Sequence, residues 1–360
     1  MQITDVQVHL APIPAQPPYR WRDGLPGAEP ALTGAWLRLE TDAGLVGLAP
    51  CLRGIILQDL VERRWKGELM GRDPLEREAL WHQMWEIDRI ESLPIYAQGT
   101  VDLALWDIAG KAAGLPVWQL MGGSARKVPA YASTVTFDST AEFLEVADQC
   151  LKLGYPAIKL HAWGDAKRDA RLCLALRDHV GPEVPLMYDG SAGFDLPGAL
   201  YLGRALEEAN YLWFEEPMRE ASIGAYRRLG QELEIPLLVA EVTGGAHWTA
   251  ADWIASGCAS HVRTSTTFKA GFTGALRVAH LAEAHHLRAE VHGGSLEHAH
   301  LCLALRNNTY YESLIRSNPV VREARVDEQG NIKIPTHPGI GYEAEWTHGP
   351  PWEAALERVK

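Results

Sequence analysis

The rhythm of apolar and polar positions changes near residue 125. Before it, ITDVQVHL and GAWLRLETDAGLVGLAP alternate with the period of two expected of half-buried strands, and a turn signal at residues 41–44 separates two apolar runs. An antiparallel hairpin extended into a small β-meander follows. From about residue 57 to 113 the period becomes helical. In TVDLALWDIAGKAAGLP, Val101, Leu105, Ile108 and Ala112 share one face, and Gly114 and Pro116 supply the stop. Residues 1–125 therefore read as an α+β domain. After Gly122 and Gly123, short apolar runs alternate with helical stretches: VPAYAS, AIKLHA, PLMYDG, YLWFEE, PLLVAE, HVRTS, RAEVH and YYES. Eight such runs over residues 126–334 predict an α/β fold, a (β/α) barrel of the TIM type rather than an open sheet. The last stretch, IKIPTHPGIGYEAEWTHGPPW, lacks a strand–helix unit, so residues 335–360 are expected to fold back and complete the N-terminal domain.

Three carboxylates end consecutive barrel runs at intervals of 26 residues: Asp189 in PLMYDGS, Glu215 in LWFEEPM and Glu241 in PLLVAEV. One such residue reads as a cap for the next helix; three in equivalent places read as a cluster. Side chains at the C-terminal ends of parallel barrel strands line one mouth, and three hard oxygen ligands suit Mg²⁺ better than zinc or copper. One strand earlier, Lys159 and His161 flank Leu160 and project together to the same face. Two adjacent cations lower the pKa of one of them, which leaves a base able to take a proton near neutrality. His292, ending RAEVH, lies across the mouth, and Glu312, in YYES, is a further polar group there. A zinc site of His292, His298 and His300 is the weaker alternative, because no carboxylate or cysteine stands beside them at ligand spacing.

Composition narrows the partners. Lys+Arg 34 against Asp+Glu 46 gives a formal charge of −12 without a basic block, so neither nucleic acid nor an anionic membrane is an expected partner. The N-terminal residues lack the pattern of a signal peptide, and no window has the length of a membrane span, so a cytoplasmic protein is expected. The five cysteines are widely spaced and contain no CxxC pair, which reads as reduced core residues.

Taken together, VDLALWDIAGKAAGLPVWQLMGG, KLH on the second barrel strand, the three spaced carboxylates, FEEP and the tail IPTHPGIGYE resemble the enolase superfamily, in its mandelate racemase and muconate lactonizing group, along essentially the whole chain. The resemblance implies a modified (β/α)₇β barrel behind an α+β capping domain. It also implies Mg²⁺ bound by Asp189, Glu215 and Glu241, with Glu216 behind them, holding a substrate carboxylate while a base removes its α-proton. A homo-oligomer is implied too. Two positions depart from the family pattern. Lys159-x-His161 replaces a common Lys-x-Lys, and Ser265 stands where an aspartate orients the histidine of the seventh strand. His292 is thus expected to lack an orienting carboxylate, and Lys269, nearby, is expected to be a solvated loop residue.

An unpaired His292 suits a general acid better than a group alternating between acid and base. The favoured reaction is dehydration of a sugar acid, with Lys159 or His161 as base and His292 as acid. Racemisation, epimerisation or cycloisomerisation through the same enediolate is the first alternative, and a metal-dependent sugar-acid binder without turnover the second. A metal-dependent hydrolase is disfavoured because the histidine-rich ligands it needs are missing. Specificity is expected from residues 17–26 (PPYRWRDGLP) and the loop after the meander, where Arg20, Arg22 and Arg53 can grip a small-molecule carboxylate and Trp21 can close over it.

Overall fold

A computed structural model describes residues 1–13, 17–27, 29 and 31–345. Strands β1 (Ile3–Ile13), β2 (Leu32–Thr41) and β3 (Val46–Cys51) form the expected antiparallel meander, in the order β1-β2-β3. Its tight turn needs Gly44 at φ +73°, a conformation that costs a residue with a Cβ far more. Helix Ile95–Ala113 ends where Gly114 adopts the left-handed C-cap, and it is buried over nearly its whole length. That burial places two carboxylates inside the protein. Asp107 accepts from Leu48 N (3.0 Å), Ile340 N (2.7 Å) and Lys111 Nζ (2.7 Å), tying the meander and the tail to one helix. Asp102 accepts from Thr273 N (2.9 Å) and Thr273 Oγ1 (2.6 Å) on the barrel helix Gly271–Ala284.

The barrel strands are β4 (Ala130–Thr134), β5 (Ala157–His161), β6 (Leu186–Asp189), β7 (Phe214–Glu215), β8 (Leu237–Val239), β9 (His261–Thr264), β10 (Arg288–Val291) and β11 (Tyr311–Ile315). They make one parallel sheet ordered β10-β9-β8-β7-β6-β5-β4-β11. At the seam the backbone bond from Ala289 N to Asn307 O and the bond from Val291 N to Asn308 Oδ1 carry β10 towards the start of β11. Each of the first seven strands is followed by its own barrel helix, and the eighth, among the described residues, only by the short tail helix Tyr342–Glu345, which gives the modified (β/α)₇β form. Ser139, Asp165, Asp195 and Ser222 cap four of these helices through their side chains. The capping work thus falls to residues other than the three strand-end acids, which turn inward. The tail crosses both parts: Tyr342 packs edge-on against Trp36 at 5.4 Å and donates to Glu297 Oε2 at 2.8 Å. Trp346, also expected against the cap, lies outside the described residues. Among the described residues, no helix is long and apolar enough to cross a membrane.

Candidate metal and proton-transfer site

The pairings Lys159↔Met187, His161↔Asp189 and Asp189↔Glu215 bring the ends of β5, β6 and β7 level, so their inward side chains meet at one height. Asp189, Glu215 and Glu241 are all buried and can each offer an oxygen within 4.8 Å of the others. Below them lies Lys159, fully buried, with Nζ 3.1 Å from Asp189 Oδ2, 2.8 Å from Glu215 Oε2 and 2.8 Å from Glu312 Oε1. The guanidinium of Arg263 enters from β9. It binds Glu215 Oε1, Tyr131 Oη at 2.9 Å and the Val291 carbonyl at 3.0 Å, and stands 3.6 Å from both Glu241 and Glu312.

Charge balance is the test of whether a metal fits. Four carboxylates here, Asp189, Glu215, Glu241 and Glu312, face two fixed cations, Lys159 and Arg263, so two negative charges remain for the histidines or a bound cation. A divalent cation supplies that balance. Burial, with Asp189 and Glu241 alongside, pushes the Glu215 carboxyl up to about 7 in spite of Arg263 and Lys159. Glu241 Oε2 is buried with no well-aligned hydrogen bond, its charged neighbours being His292 Nδ1 at 3.2 Å and Arg263 Nε at 3.6 Å, and a hard ion can complete its acceptor capacity. The donor set therefore fits Mg²⁺.

Two expectations about the bases change. Burial alone would lower the Lys159 pKa, but Glu215 and Glu312 outweigh it and hold the ammonium well above its usual value. Lys159 is therefore the member of the pair that keeps its charge, and the lowered pKa expected for one of the two does not fall on it. His161 differs. Its Nδ1 lies 2.7 Å from the Thr134 carbonyl and its Nε2 3.0 Å from Asp189 Oδ2, so each ring nitrogen faces an oxygen that can only accept. Trp21 covers the imidazole with its ring centroid 4.5 Å away.

His292 is not the unpartnered histidine that Ser265 suggested. Its Nδ1 stands 3.2 Å from Glu241 Oε2 and 3.4 Å from Glu312 Oε2, carboxylates from β8 and β11 rather than β9. Burial would lower its pKa, but the two carboxylates raise it. With 28% of its side chain exposed it sits at the mouth, whereas Lys159 sits at the floor. Ser265 instead caps a turn by accepting from Phe268 N at 3.0 Å. Glu312 accepts from Gly293 N at 2.8 Å and lies under the cluster as part of its floor. Glu216 is buried beside the cluster at φ +39°, and burial with the neighbouring carboxylates raises its pKa well above the usual range.

The loop residues divide. Arg22 donates from Nε to Ser191 O at 2.9 Å, and Ser191 N donates in turn to Asp189 Oδ1 at 2.9 Å, which links the N-terminal loop to the cluster. Arg20 pairs with Asp23 and Asp138, and Arg53 with Glu29 at 2.6 Å. His298 and His300 each use both ring nitrogens on protein partners: Thr266 and Ser295 for the first, Trp118 N and Ile340 O for the second. Those bonds leave no zinc triad.

Arg263, Thr134, Glu220 and Lys269 were not singled out as site residues by sequence. Arg263 had a signal, since a charge in HVRTS falls two residues before Ser265 and so shares its inward face. Lys269, expected in solvent, is fully buried; burial lowers its pKa to about 8.

Comparison with known proteins agrees along the chain. Residues 142–348 match the family model described as enolase C-terminal domain-like, and residues 32–122 the N-terminal domain of mandelate racemase / muconate lactonizing enzyme. A D-glucarate dehydratase from Agrobacterium tumefaciens, solved in complex with magnesium, superposes with a TM-score of 0.88 at 32% identity, covering 95% of this chain and 96% of that one. The arabinonate dehydratase of Saccharolobus solfataricus is 27% identical, covering 84% of this chain and 86% of that protein. A 3,6-anhydro-alpha-L-galactonate cycloisomerase of Streptomyces coelicolor is 28% identical, with 94% and 96% covered.

Proposed function

Because the chain belongs to the enolase superfamily, in the mandelate racemase and muconate lactonizing group, we propose that it is an acid-sugar dehydratase acting on a small carboxylate substrate. The observation that carries this reading is the pair of histidines, His161 and His292, on strands either side of a buried three-carboxylate cluster. Asp189, Glu215 and Glu241 would hold Mg²⁺, whose Lewis acidity stabilises the charge that gathers on a substrate carboxylate when its α-proton leaves.

His161 is the base. Thr134 O holds the proton on Nδ1, which leaves Nε2, 3.0 Å from Asp189 Oδ2, as the nitrogen that exchanges a proton with the substrate, and Asp189 steadies the protonated ring. Lys159 keeps its proton and offsets the charge of the acids around it. His292, whose pKa Glu241 and Glu312 raise, is the acid on the opposite side of the cluster. As the C–H electron pair moves through the enediolate to form the new double bond, the β C–O bond breaks and His292 protonates the leaving hydroxide. Water and an enol result, and the enol tautomerises to a 2-keto-3-deoxy acid. Trp21 and Arg22, folded over β5 and β6, exclude water from that side.

The names of the two dehydratases above support a sugar-acid substrate. A second reading has its own observation: the carboxylates beside His292 give it the support that alternating acid and base roles demand, so epimerisation, racemisation or cycloisomerisation fits the same residues. A sugar-acid library incubated with enzyme and Mg²⁺ tests both. Accumulation of a 2-keto-3-deoxy acid is the expected result. Isomer formation without loss of water moves the assignment to the second reading, and saturable binding without any product moves it to a non-catalytic binder.

A further inference from the structure

Residues 240–243, which carry Glu241 out of β8, form a short loop with Ala240 at φ +68°, a left-handed conformation that alanine adopts only at a cost. Val242 is 56% exposed, so packing alone does not hold the segment. Two side chains of opposite charge, half-buried Glu220 and buried Lys269, hold its backbone instead. From the β7 loop, Glu220 accepts from Ala240 N and from Val242 N at 3.1 Å. From the β9 loop, Lys269 points Nζ at Ala240 O (2.6 Å), Glu241 O (3.1 Å), Thr243 O (3.2 Å) and Thr243 Oγ1 (3.2 Å). The anion reads the N–H groups and the cation reads the carbonyls.

We propose that Lys269 and Glu220 are positioning residues, a charge clamp that aims Glu241 into the metal cluster, and that the Lys269 ammonium fills an oxygen cage able to take a free monovalent cation in its place. Four oxygens converging on one buried cation offer what ammonium or potassium needs. The clamp also reaches the cap. Next to Lys269, the Ala270 carbonyl accepts from Trp81 Nε1 of helix Arg77–Glu91 at 2.9 Å, so the loop that steadies Glu241 is itself anchored to the N-terminal domain.

The inference rests on the proposed metal role of Glu241, and Mg²⁺ affinity separates it from a plain charge effect. Deleting a cation beside an acidic cluster should tighten Mg²⁺ on electrostatic grounds alone. Loss of positioning should weaken it. Calorimetric titration of Lys269→Ala and Lys269→Met with Mg²⁺ should show affinity reduced about tenfold or more. In Lys269→Ala, ammonium or potassium should restore most of it, whereas the larger tetramethylammonium at equal ionic strength should not. Lys269→Met, with the cage filled by a neutral chain, should stay weak in every salt. Unchanged or tighter Mg²⁺ in both variants, or equal rescue by tetramethylammonium, overturns the proposal. If neither variant folds, Thr243→Val and Glu220→Gln carry the test, each expected to weaken Mg²⁺ several-fold, and unchanged affinity in both refutes it. Amide exchange across residues 240–243 of the metal-free protein is the independent readout. It should quicken in the clamp variants and, for Lys269→Ala, slow again in ammonium. Wild-type protein that ignores Mg²⁺ but shows this exchange pattern would defeat the metal reading and leave the clamp standing.

Discussion

Each buried charge here answers to particular partners, and the carboxylates of the cluster are not equivalent. Glu215 joins Lys159 to Arg263, whereas Glu241 faces His292 at 3.2 Å and Arg263 at 3.6 Å. Asp189→Asn, Glu215→Gln and Glu241→Gln are each expected to weaken Mg²⁺ by at least tenfold in calorimetric titration, because each removes an anionic ligand while keeping its shape. Glu215→Gln should also lower thermal stability more than the other two, by about 1–3 kcal/mol, since Glu215 alone of the three contacts both buried cations, which then keep Glu312 as their shared partner. Equal stability losses across the three variants would refute this distinction. A second prediction follows the protons. With an accepted substrate in D₂O, His292→Asn should still exchange the α-hydrogen while dehydration falls by about a hundredfold or more, and His161→Asn should stop both. The reverse pattern would exchange the two roles. Lys159→Met should lower stability before it reports on proton transfer, because it leaves Arg263 as the one fixed cation facing Glu312 and Glu215.

At the scale of elements, the cap helix Ile95–Ala113 approaches the barrel so closely that Gly99 has no room for a side chain. A Cβ there would stand 2.6 Å from Thr266 O and 2.9 Å from Gly271 N, backbone atoms that cannot swing aside. Gly99→Ala is therefore expected to destabilise the protein by about 1–3 kcal/mol in denaturant titration. Wild-type stability would mean that the helix and the 266–271 loop can part freely. The sequence shows such features unevenly. Alternation and helical period reveal the meander, helix Ile95–Ala113 and the eight barrel strands, and Asp189, Glu215 and Glu241 are legible because each ends an apolar run. What escapes is whatever depends on partners distant in the chain. Lys269 reads as solvated because its acceptors are backbone carbonyls 26 to 29 residues earlier, and a carbonyl carries no residue signature. His292 reads as unpaired because its carboxylates come from β8 and β11 instead of β9, a choice set by barrel geometry.

Across the whole molecule, the N-terminal and barrel parts are joined through a buried acid whose titration should be visible in global stability. On the proposed division, residues 335–360 complete the 1–125 cap, and helix Ile95–Ala113 is the surface where cap and barrel meet. There Asp102 accepts from Thr273 of the barrel helix. Burial raises the Asp102 pKa from 3.8 to about 7, even though the bonds from Thr273 and the charge of Arg77 pull the other way. The sign follows from proton uptake. The folded state binds a proton that the unfolded state has released between about pH 4 and pH 7, so stability from this group is full below the lower value and is lost as pH rises through the higher one. Asp102→Asn keeps the shape and removes the titration. The difference in stability, wild type minus Asp102→Asn, should therefore fall between pH 5 and pH 8, with a ceiling of about 1.4 kcal/mol for each pH unit crossed. Paired chemical-denaturation curves at the two pH values measure it, and taking the difference cancels the titration of every other group. A gap that stays constant or widens with pH would show that Asp102 is ionised in the folded protein, and that the seam is held by a charged carboxylate facing Arg77.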